Sequence, residues 1–376
     1  MSALATARMI LLNDFKRQWA DCGEAVLDAV RHVGESGWYI LGEEVRRFEE
    51  ALAATWGRRF CVGVGTGLDA IEIALRALGL SPGDRVVTTP NSAFATTLAI
   101  LRIGAIPIFV DVDAGGQIDL GQCREILASR SEVRYIVPVH LYGEPLDPQA
   151  LADFRDRFDS NIVEDCAQSI LARRGGRPAG TIGQTAATSF YPTKNLGAYG
   201  DGGAILTDDA VLADAARQLR DYGQSEKYVH TRLGTNSRLD EVHAAILRRA
   251  LMPRLEAYTR RRREVAAAYR AGIRHPCVRV PEAAGEGVGH LFPIVVPAKS
   301  RQSFRAFLKE RGVATGEHYP LAIPDQPAMR GVPFETPFGL TRVREFCASE
   351  VSLPIHPYLL DDEVARVIDA VNTWAG

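Results

Sequence analysis

No stretch of this chain is apolar enough for long enough to cross a bilayer. The run that begins at Thr88 meets a charge at Arg102, short of the roughly 20 residues a spanning helix needs. Nor is there an excess of one charge: 44 Lys+Arg against 46 Asp+Glu leave a formal charge of −2. Without a basic field, neither nucleic acid nor an anionic membrane surface is an expected partner. The 6 cysteines (Cys22, Cys61, Cys123, Cys166, Cys277 and Cys347) are scattered and form no CxxC pair. That argues against a bound metal and reads as reduced structural thiols in the cytoplasm. Met1 to Leu12 lack the basic region, apolar run and small-residue site of a secretory leader. GxGxxG and GxxxxGK[ST] are both missing, so ATP or GTP hydrolysis is not expected. There are no internal repeats.

What is present is an α/β pattern. Of the 376 residues 46% are hydrophobic and 24% charged, and a chain of this length holds about two domains. Phe60–Val64, Arg85–Thr88, Ile106–Val110, Tyr135–Val139 and Asn161–Glu164 read as short buried strands. Helical spacing lies between them, as in Leu68, Ile71, Leu75 and Leu78, and again from about Ala93 to Ile103. Ala186–Phe190 and Gly203–Thr207 add two more strands joined by a Gly-rich loop. Strands alternating with helices imply a mainly parallel sheet of seven strands sandwiched by helices. Beyond Met252-Pro253 come a long Arg-rich helix (Leu255 to Ala271), a Pro/Gly-rich connector, and alternating strand and helix patterns that end at Asp361–Trp374. This division gives a large domain over residues 1–250 and a smaller α+β domain over 251–376. The arginine run 260–263 spreads around a full helical turn, so it reads as a solvated or subunit-facing helix rather than a polyanion site.

In such sheets ligands collect at the carboxyl ends of the strands, and four unusual segments fall there. Gly63-Val64-Gly65-Thr66-Gly67-Leu68-Asp69-Ala70 is a Gly-rich turn entering a helix, either a phosphate cup or a tight connection. Glu164-Asp165-Cys166-Ala167-Gln168 ends a buried strand with two acids. Asp165 there could cap structure, act as a base, meet a ring nitrogen or ligate a metal, though no His or acid cluster lies at metal spacing nearby. Ser189-Phe190-Tyr191-Pro192-Thr193-Lys194-Asn195-Leu196-Gly197 places a lysine between buried strands, where desolvation would make a neutral amine available for a Schiff base. Asn236-Ser237-Arg238-Leu239-Asp240-Glu241 opens a helix expected over Leu239–Leu251 and could meet anions or cap that helix.

The order of these segments, together with Gly37-Trp38-Tyr39-Ile40-Leu41-Gly42 and His140-Leu141-Tyr142-Gly143, resembles the DegT/DnrJ/EryC1/StrS sugar aminotransferases from about Leu12 onward. These are fold-type-I enzymes dependent on pyridoxal 5′-phosphate (PLP), which alternates with pyridoxamine phosphate (PMP). The resemblance implies that Lys194 holds the cofactor as a Schiff base and moves the proton. It places Asp165 at the pyridinium nitrogen, Gln168 at the phenolic oxygen and Phe94 against the ring. The phosphate would lie on the amides of Gly67 and Leu68 and the Ser189 hydroxyl. Asn236 and Arg238 would come from the neighbouring subunit of a homodimer, to phosphate and substrate anions respectively. Tyr191, His318 and Tyr319 are candidates for the sugar or nucleotide.

The implied reaction moves an amino group from L-glutamate to a nucleotide-linked keto sugar. The segments are most similar to the branch acting at C3 of a dTDP-3-keto-6-deoxyhexose, with C4 of a 4-keto-6-deoxyhexose as runner-up. A non-catalytic regulator on the same fold is the reading from another class. A dehydratase of this fold would have histidine in place of Lys194 or cluster-spaced cysteines. His243 stands where the family usually has Gln, a difference that concerns packing. The histidine that commonly follows His318-Tyr319-Pro320 is absent from Leu321-Ala322-Ile323-Pro324-Asp325.

Overall fold

The computed structural model describes residues 9–376. The first eight residues of the stretch read above for a leader, and the start of the 1–250 division, lie outside them. Two helices lead in, α1 (Phe15–Ser36) and α2 (Glu43–Trp56). Strands then alternate with helices: β1 (Phe60–Val64), α3 (Gly67–Ala77), β2 (Arg85–Thr88), α4 (Phe94–Ile103), β3 (Ile106–Phe109), α5 (Leu120–Ser129), β4 (Tyr135–Val137), α6 (Pro148–Arg157) and β5 (Asn161–Asp165). A small hairpin, β6 (Arg173–Arg174) and β7 (Arg177–Pro178), precedes β8 (Thr185–Ser189) and β9 (Gly203–Thr207). Next come α7 (Ala210–Arg220) and a second hairpin, β10 (Gln224–Glu226) with β11 (Val229–His230).

The central sheet has seven strands in the order β1-β9-β8-β5-β4-β2-β3. β9 runs antiparallel to both its neighbours, and the remaining pairs are parallel. The strands are buried on both faces, which is why they read as continuous apolar runs. Because six strands point the same way, their carboxyl ends open on one edge, together with the start of β9.

The rest of the chain comprises α8 (Glu241–Ala245), α9 (Leu255–Gly272), β12 (Phe292–Val295), α10 (Arg301–Glu310), α11 (Thr341–Ser349), β13 (Glu350–Leu353) and α12 (Asp361–Asn372). β12 and β13 pair antiparallel, and Tyr269, Phe304, Leu308 and Trp374 pack around them. Ile10 packs in the same cluster and bridges to Val313.

The helix expected over Leu239–Leu251 is interrupted. After Ala245 the turns widen into a π-helix over Ile246–Leu251, and the wider turn puts the consecutive Arg248 and Arg249 both on Glu44. Glu241, at the start of this segment, is buried. Its carboxylate accepts the amides of Gly42, Glu44 and Val45 at 2.8–2.9 Å. It therefore caps α2, whose own N-cap, Gly42, has no side chain to do so. Gly42 must be glycine here, since a Cβ would stand 2.4 Å from the Trp38 ring and 2.9 Å from Glu241.

The arginine run also differs from the solvated reading. Arg262 is buried and donates to the carbonyls of Ile355 (2.8 Å) and Gly289 (3.1 Å). Arg261 reaches the carbonyl of Leu359, and Arg263 those of Gly287 and Leu171. Carbonyls left without partners in the loops beside α9 are satisfied by these guanidinium groups.

Candidate active site

A cavity of about 500 Å³ opens at the carboxyl edge of the sheet. Gly67, Leu68, Asp165, Gln168, Ser189, Tyr191, Lys194, His318 and Tyr319 all line it. Residues more than 250 positions apart are thus brought together by strand ends and by a C-terminal wall of His290, Leu291, His318 and Tyr319.

At the end of β1 the chain turns into α3. Thr66 caps that helix by accepting the amide of Asp69 at 3.0 Å. The amides of Gly67 and Leu68 come before the first turn closes, so they have no carbonyl within the helix and face a favourable position for an anion. Gly67 presses against the end of β8: a Cβ on it would lie 2.6 Å from Ser189 Cβ and 3.1 Å from its Oγ. The Ser189 hydroxyl accepts the Tyr191 amide at 3.2 Å, which leaves its hydrogen for a ligand. Two amides, a hydroxyl and a backbone approach open only to glycine form a cradle that fits a phosphate group.

Asp165 ends β5 and is buried. Oδ1 accepts the Ala167 amide at 3.0 Å and Oδ2 the Thr96 hydroxyl at 2.8 Å, with Ser92 behind Thr96 at 2.9 Å. Burial pushes this carboxyl upward, while those two donors and the charge of Lys194 work the other way. A buried acceptor on the cavity wall suits a protonated ring nitrogen.

Lys194 sits in the loop between β8 and β9. Its amine takes part in no hydrogen bond or ion pair among the described residues, and burial lowers its pKa from 10.5 to about 8 against the upward pull of Asp165. The loop is tightly folded around it: Lys194 N–H donates to Tyr191 O, and Ala198 N–H to Phe190 O. His243 lies against this loop at Gly200, where a Cβ would meet its ring at 2.9 Å.

Gln168 spends its carbonyl on the Tyr142 amide at 2.5 Å and holds the Tyr319 hydroxyl more loosely at 3.4 Å. Phe94, Asn236 and Arg238 do not line the cavity. Phe94 begins α4 between the lining residues Ala93 and Ala95 and packs against the apolar cluster that includes Phe109 and Met329. Asn236 is exposed and bridges to Asp221. Arg238 pairs with Asp221 at 2.7 Å and lies over the Tyr222 ring.

The structure adds residues that sequence reading did not single out. His290 lines the cavity and bonds Asn195 Oδ1 through Nδ1 at 3.1 Å. The Asn195 amide group donates to Val288 O at 3.0 Å, so Nδ1 of His290 carries the hydrogen. The position of Asn195 beside Lys194 was a signal; His290 had none. Behind the site, buried Glu164 accepts the amides of Gly180, Ile182 and Gly183 at 2.7–2.9 Å and His140 Nε2 at 2.9 Å. The Leu146 amide donates to His140 Nδ1, which leaves Nε2 as the donor to Glu164. Burial would raise this carboxyl, but His140 and the amides outweigh it and hold it below the ordinary range. The first acid of the Glu-Asp pair therefore anchors the loop after β7, and the second faces the cavity.

A family model described as the DegT/DnrJ/EryC1/StrS aminotransferase family matches residues 20–372. A dTDP-3-amino-3,4,6-trideoxy-alpha-D-glucose transaminase of Streptomyces venezuelae is 40% identical over 381 residues, 100% of this chain and 98% of that protein. The crystal structure of S. venezuelae DesV in complex with a ketimine intermediate superposes with a TM-score of 0.93 at 39% identity. It covers 98% of this chain and 99% of the other. NtdA from Bacillus subtilis, solved with bound cofactor PMP, gives a TM-score of 0.85 at 29% identity over 93% of this chain and 80% of that one.

Proposed function

Because the chain belongs to the DegT/DnrJ/EryC1/StrS aminotransferase family and is a PLP-dependent sugar aminotransferase, we propose that it carries an amino group from L-glutamate to C3 of a dTDP-3-keto-6-deoxyhexose. The observation that carries the chemistry is the Lys194 amine, unpartnered among the described residues and with its pKa lowered by burial to about 8, in a cavity whose buried acid is Asp165. C3 is favoured over C4 by the relative named for a 3-amino sugar, similar over the whole chain.

On this reading Lys194 would hold the cofactor aldehyde and Asp165 the ring nitrogen, and Phe94 would have to turn from its apolar cluster towards the cavity to reach the ring's flank. Gln168 would give its looser contact, the amide nitrogen, to the phenolic oxygen. Gly67, Leu68 and Ser189 would hold the phosphate. When bound, PLP supplies an electron sink that lets an amino acid lose its α-proton. Lys194 moves that proton, since an amine with a pKa of about 8 both accepts and returns it near neutral pH. Asp165 keeps its acceptor oxygens fixed through Ala167 and Thr96, so no reorganisation is needed as charge develops. Tyr191, His318 and Tyr319 would meet the sugar or nucleotide.

Asn236 and Arg238 would complete the partner's cavity in a homodimer. Exposed Trp19, Trp38, Tyr39 and Ile40 support that assembly as apolar surface in search of cover. The division into 1–250 and 251–376 and a cytoplasmic setting belong to the same reading; among the described residues no helix is long and apolar enough to cross a membrane.

The test offers the purified enzyme L-glutamate with a dTDP-3-keto or a dTDP-4-keto sugar and locates nitrogen in the product by NMR. Amine at C3 is the expected result. Amine at C4 would overturn the regiochemistry. Failure of glutamate to bleach the PLP absorbance would overturn the donor.

A further inference from the structure

One wall of the cavity is backed by a sealed chain of polar groups. On β13 residues alternate in facing: Val351 and Leu353 enter the C-terminal core, while Glu350 and Ser352 point the other way, towards the segment that carries His318. Both Glu350 and Ser352 are 0% exposed. Gly316 and Ser352 exchange backbone hydrogen bonds at 3.0 Å, which fixes this segment against β13. Glu350 Oε2 accepts the His318 amide at 2.6 Å, and Oε1 accepts the Ser352 hydroxyl at 2.5 Å. Ser352 Oγ in turn lies 2.9 Å from His318 Nδ1.

Above the value of about 7 to which burial lifts its carboxyl, Glu350 is ionised, and these partners then leave one arrangement of hydrogens. A backbone amide can only donate, and an ionised carboxylate can only accept. The single hydroxyl hydrogen of Ser352 is therefore spent on Glu350, and its lone pairs face Nδ1. Hence His318 Nδ1 carries the hydrogen and donates to Ser352. The ring is neutral: burial and then the charge of Lys194 push it down to about 4. Nε2 is left as a bare acceptor with no partner among the described residues, on a ring that lines the cavity beside Gln168 and Tyr319.

We propose that Glu350 and Ser352 are positioning residues for sugar recognition, locking His318 as the Nδ1–H tautomer so that Nε2 accepts a hydrogen bond from a sugar hydroxyl. The inference rests on the sugar-aminotransferase reading above. A nucleotide sugar lacking that hydroxyl, or placing an acceptor there, is discriminated against, because it leaves Nε2 desolvated and unpaired.

Glu350→Gln tests this without changing shape. The amide oxygen must face the His318 N–H, so its NH2 donates to Ser352, Ser352 donates to Nδ1, and the ring hydrogen moves to Nε2. The holoenzyme is labelled with 15N-histidine and studied at about pH 8, above the value of about 7 to which burial lifts the Glu350 carboxyl. Long-range 15N–1H correlations should show His318 as Nδ1–H in the wild type and as Nε2–H in the variant. The KM for the nucleotide sugar should rise about 10- to 100-fold in the variant, with the KM for L-glutamate moved far less. Ser352→Ala, which cuts the chain instead of reversing it, should leave both tautomers visible and give a smaller rise in KM. A wild-type His318 found as Nε2–H or as imidazolium overturns the proposal. So does a Glu350→Gln enzyme with its tautomer and sugar KM unchanged. The two readings fail separately: the tautomer is read without sugar, and bleaching of PLP by glutamate is read without the relay.

Discussion

Lys194 should capture PLP with a pH midpoint near 8, not near the 10.5 of an ordinary lysine. The cause is burial at the cavity floor, which penalises the ammonium form. The charge of Asp165 pulls the other way without winning. Only the neutral amine attacks an aldehyde. At about pH 7 an amine with a midpoint of 8 is neutral about one time in ten, against about three in ten thousand at 10.5, an advantage of about 300-fold. The assay mixes apoenzyme with PLP and follows Schiff-base absorbance in a stopped-flow instrument from about pH 6 to 10. Rates are divided by those of a lysine peptide in the same buffers, so that ionisation of PLP itself cancels. The normalised rate should stay flat up to about pH 8 and then fall by about tenfold per pH unit, as the peptide amine alone goes on losing its proton. Asp165→Asn removes the charge that, among the described residues, holds the ammonium form up, so its midpoint should move lower still. A midpoint at 10 or above, or an upward move in Asp165→Asn, would refute the assignment of burial as the controlling influence.

Three further outcomes are expected. Gly67→Ala drives a methyl to 2.6 Å from Ser189 Cβ; overpacking of this kind costs about 1–3 kcal/mol, and PLP titration should show about tenfold weaker binding or worse, equal affinity counting against the phosphate cradle. Glu164→Gln leaves three amides and His140 short of a charged acceptor and should cost about 3 kcal/mol in urea unfolding. Because the folded carboxyl lies below its ordinary value, its contribution is present above the unfolded value and lost as pH falls through the folded one, so wild type and variant should converge in acid; a constant gap down to acid would contradict this. Finally, mixing equal amounts of Lys194→Ala and Arg238→Ala protomers, each inactive alone, should restore about a quarter of wild-type activity through hybrid dimers. No recovery on mixing would place both residues in one subunit's site.

Most of the sheet was legible because fully buried strands and amphipathic helices carry different periods. Phe60–Val64 and Arg85–Thr88 fall where their apolar runs put them. The reversed direction of β9 was not legible, since a buried strand reads the same in either sense. The role of Glu241 was not legible, because the helix it caps begins about two hundred residues earlier. The arginine run misled for a related reason: helical spacing shows that the four side chains diverge, but not that loop carbonyls wait for three of them. At the site, Lys194, Asp165 and Ser189 stood out through residue type and placement at strand ends. Thr96, His290, Glu350 and Ser352 act through partners distant in sequence, and nothing local distinguishes them from ordinary core polar residues.

The opposed course of β9 has a mechanical consequence. Since β8 and β9 are immediate neighbours, with Ser189 opposite Gly203, the segment bearing the reactive lysine is a hairpin connection and not a crossover. Both its feet stand on one rung of the same ladder. Moving the base of the loop therefore means opening the β8–β9 ladder at that pair, and residues added at its tip would leave the register of the sheet where it is.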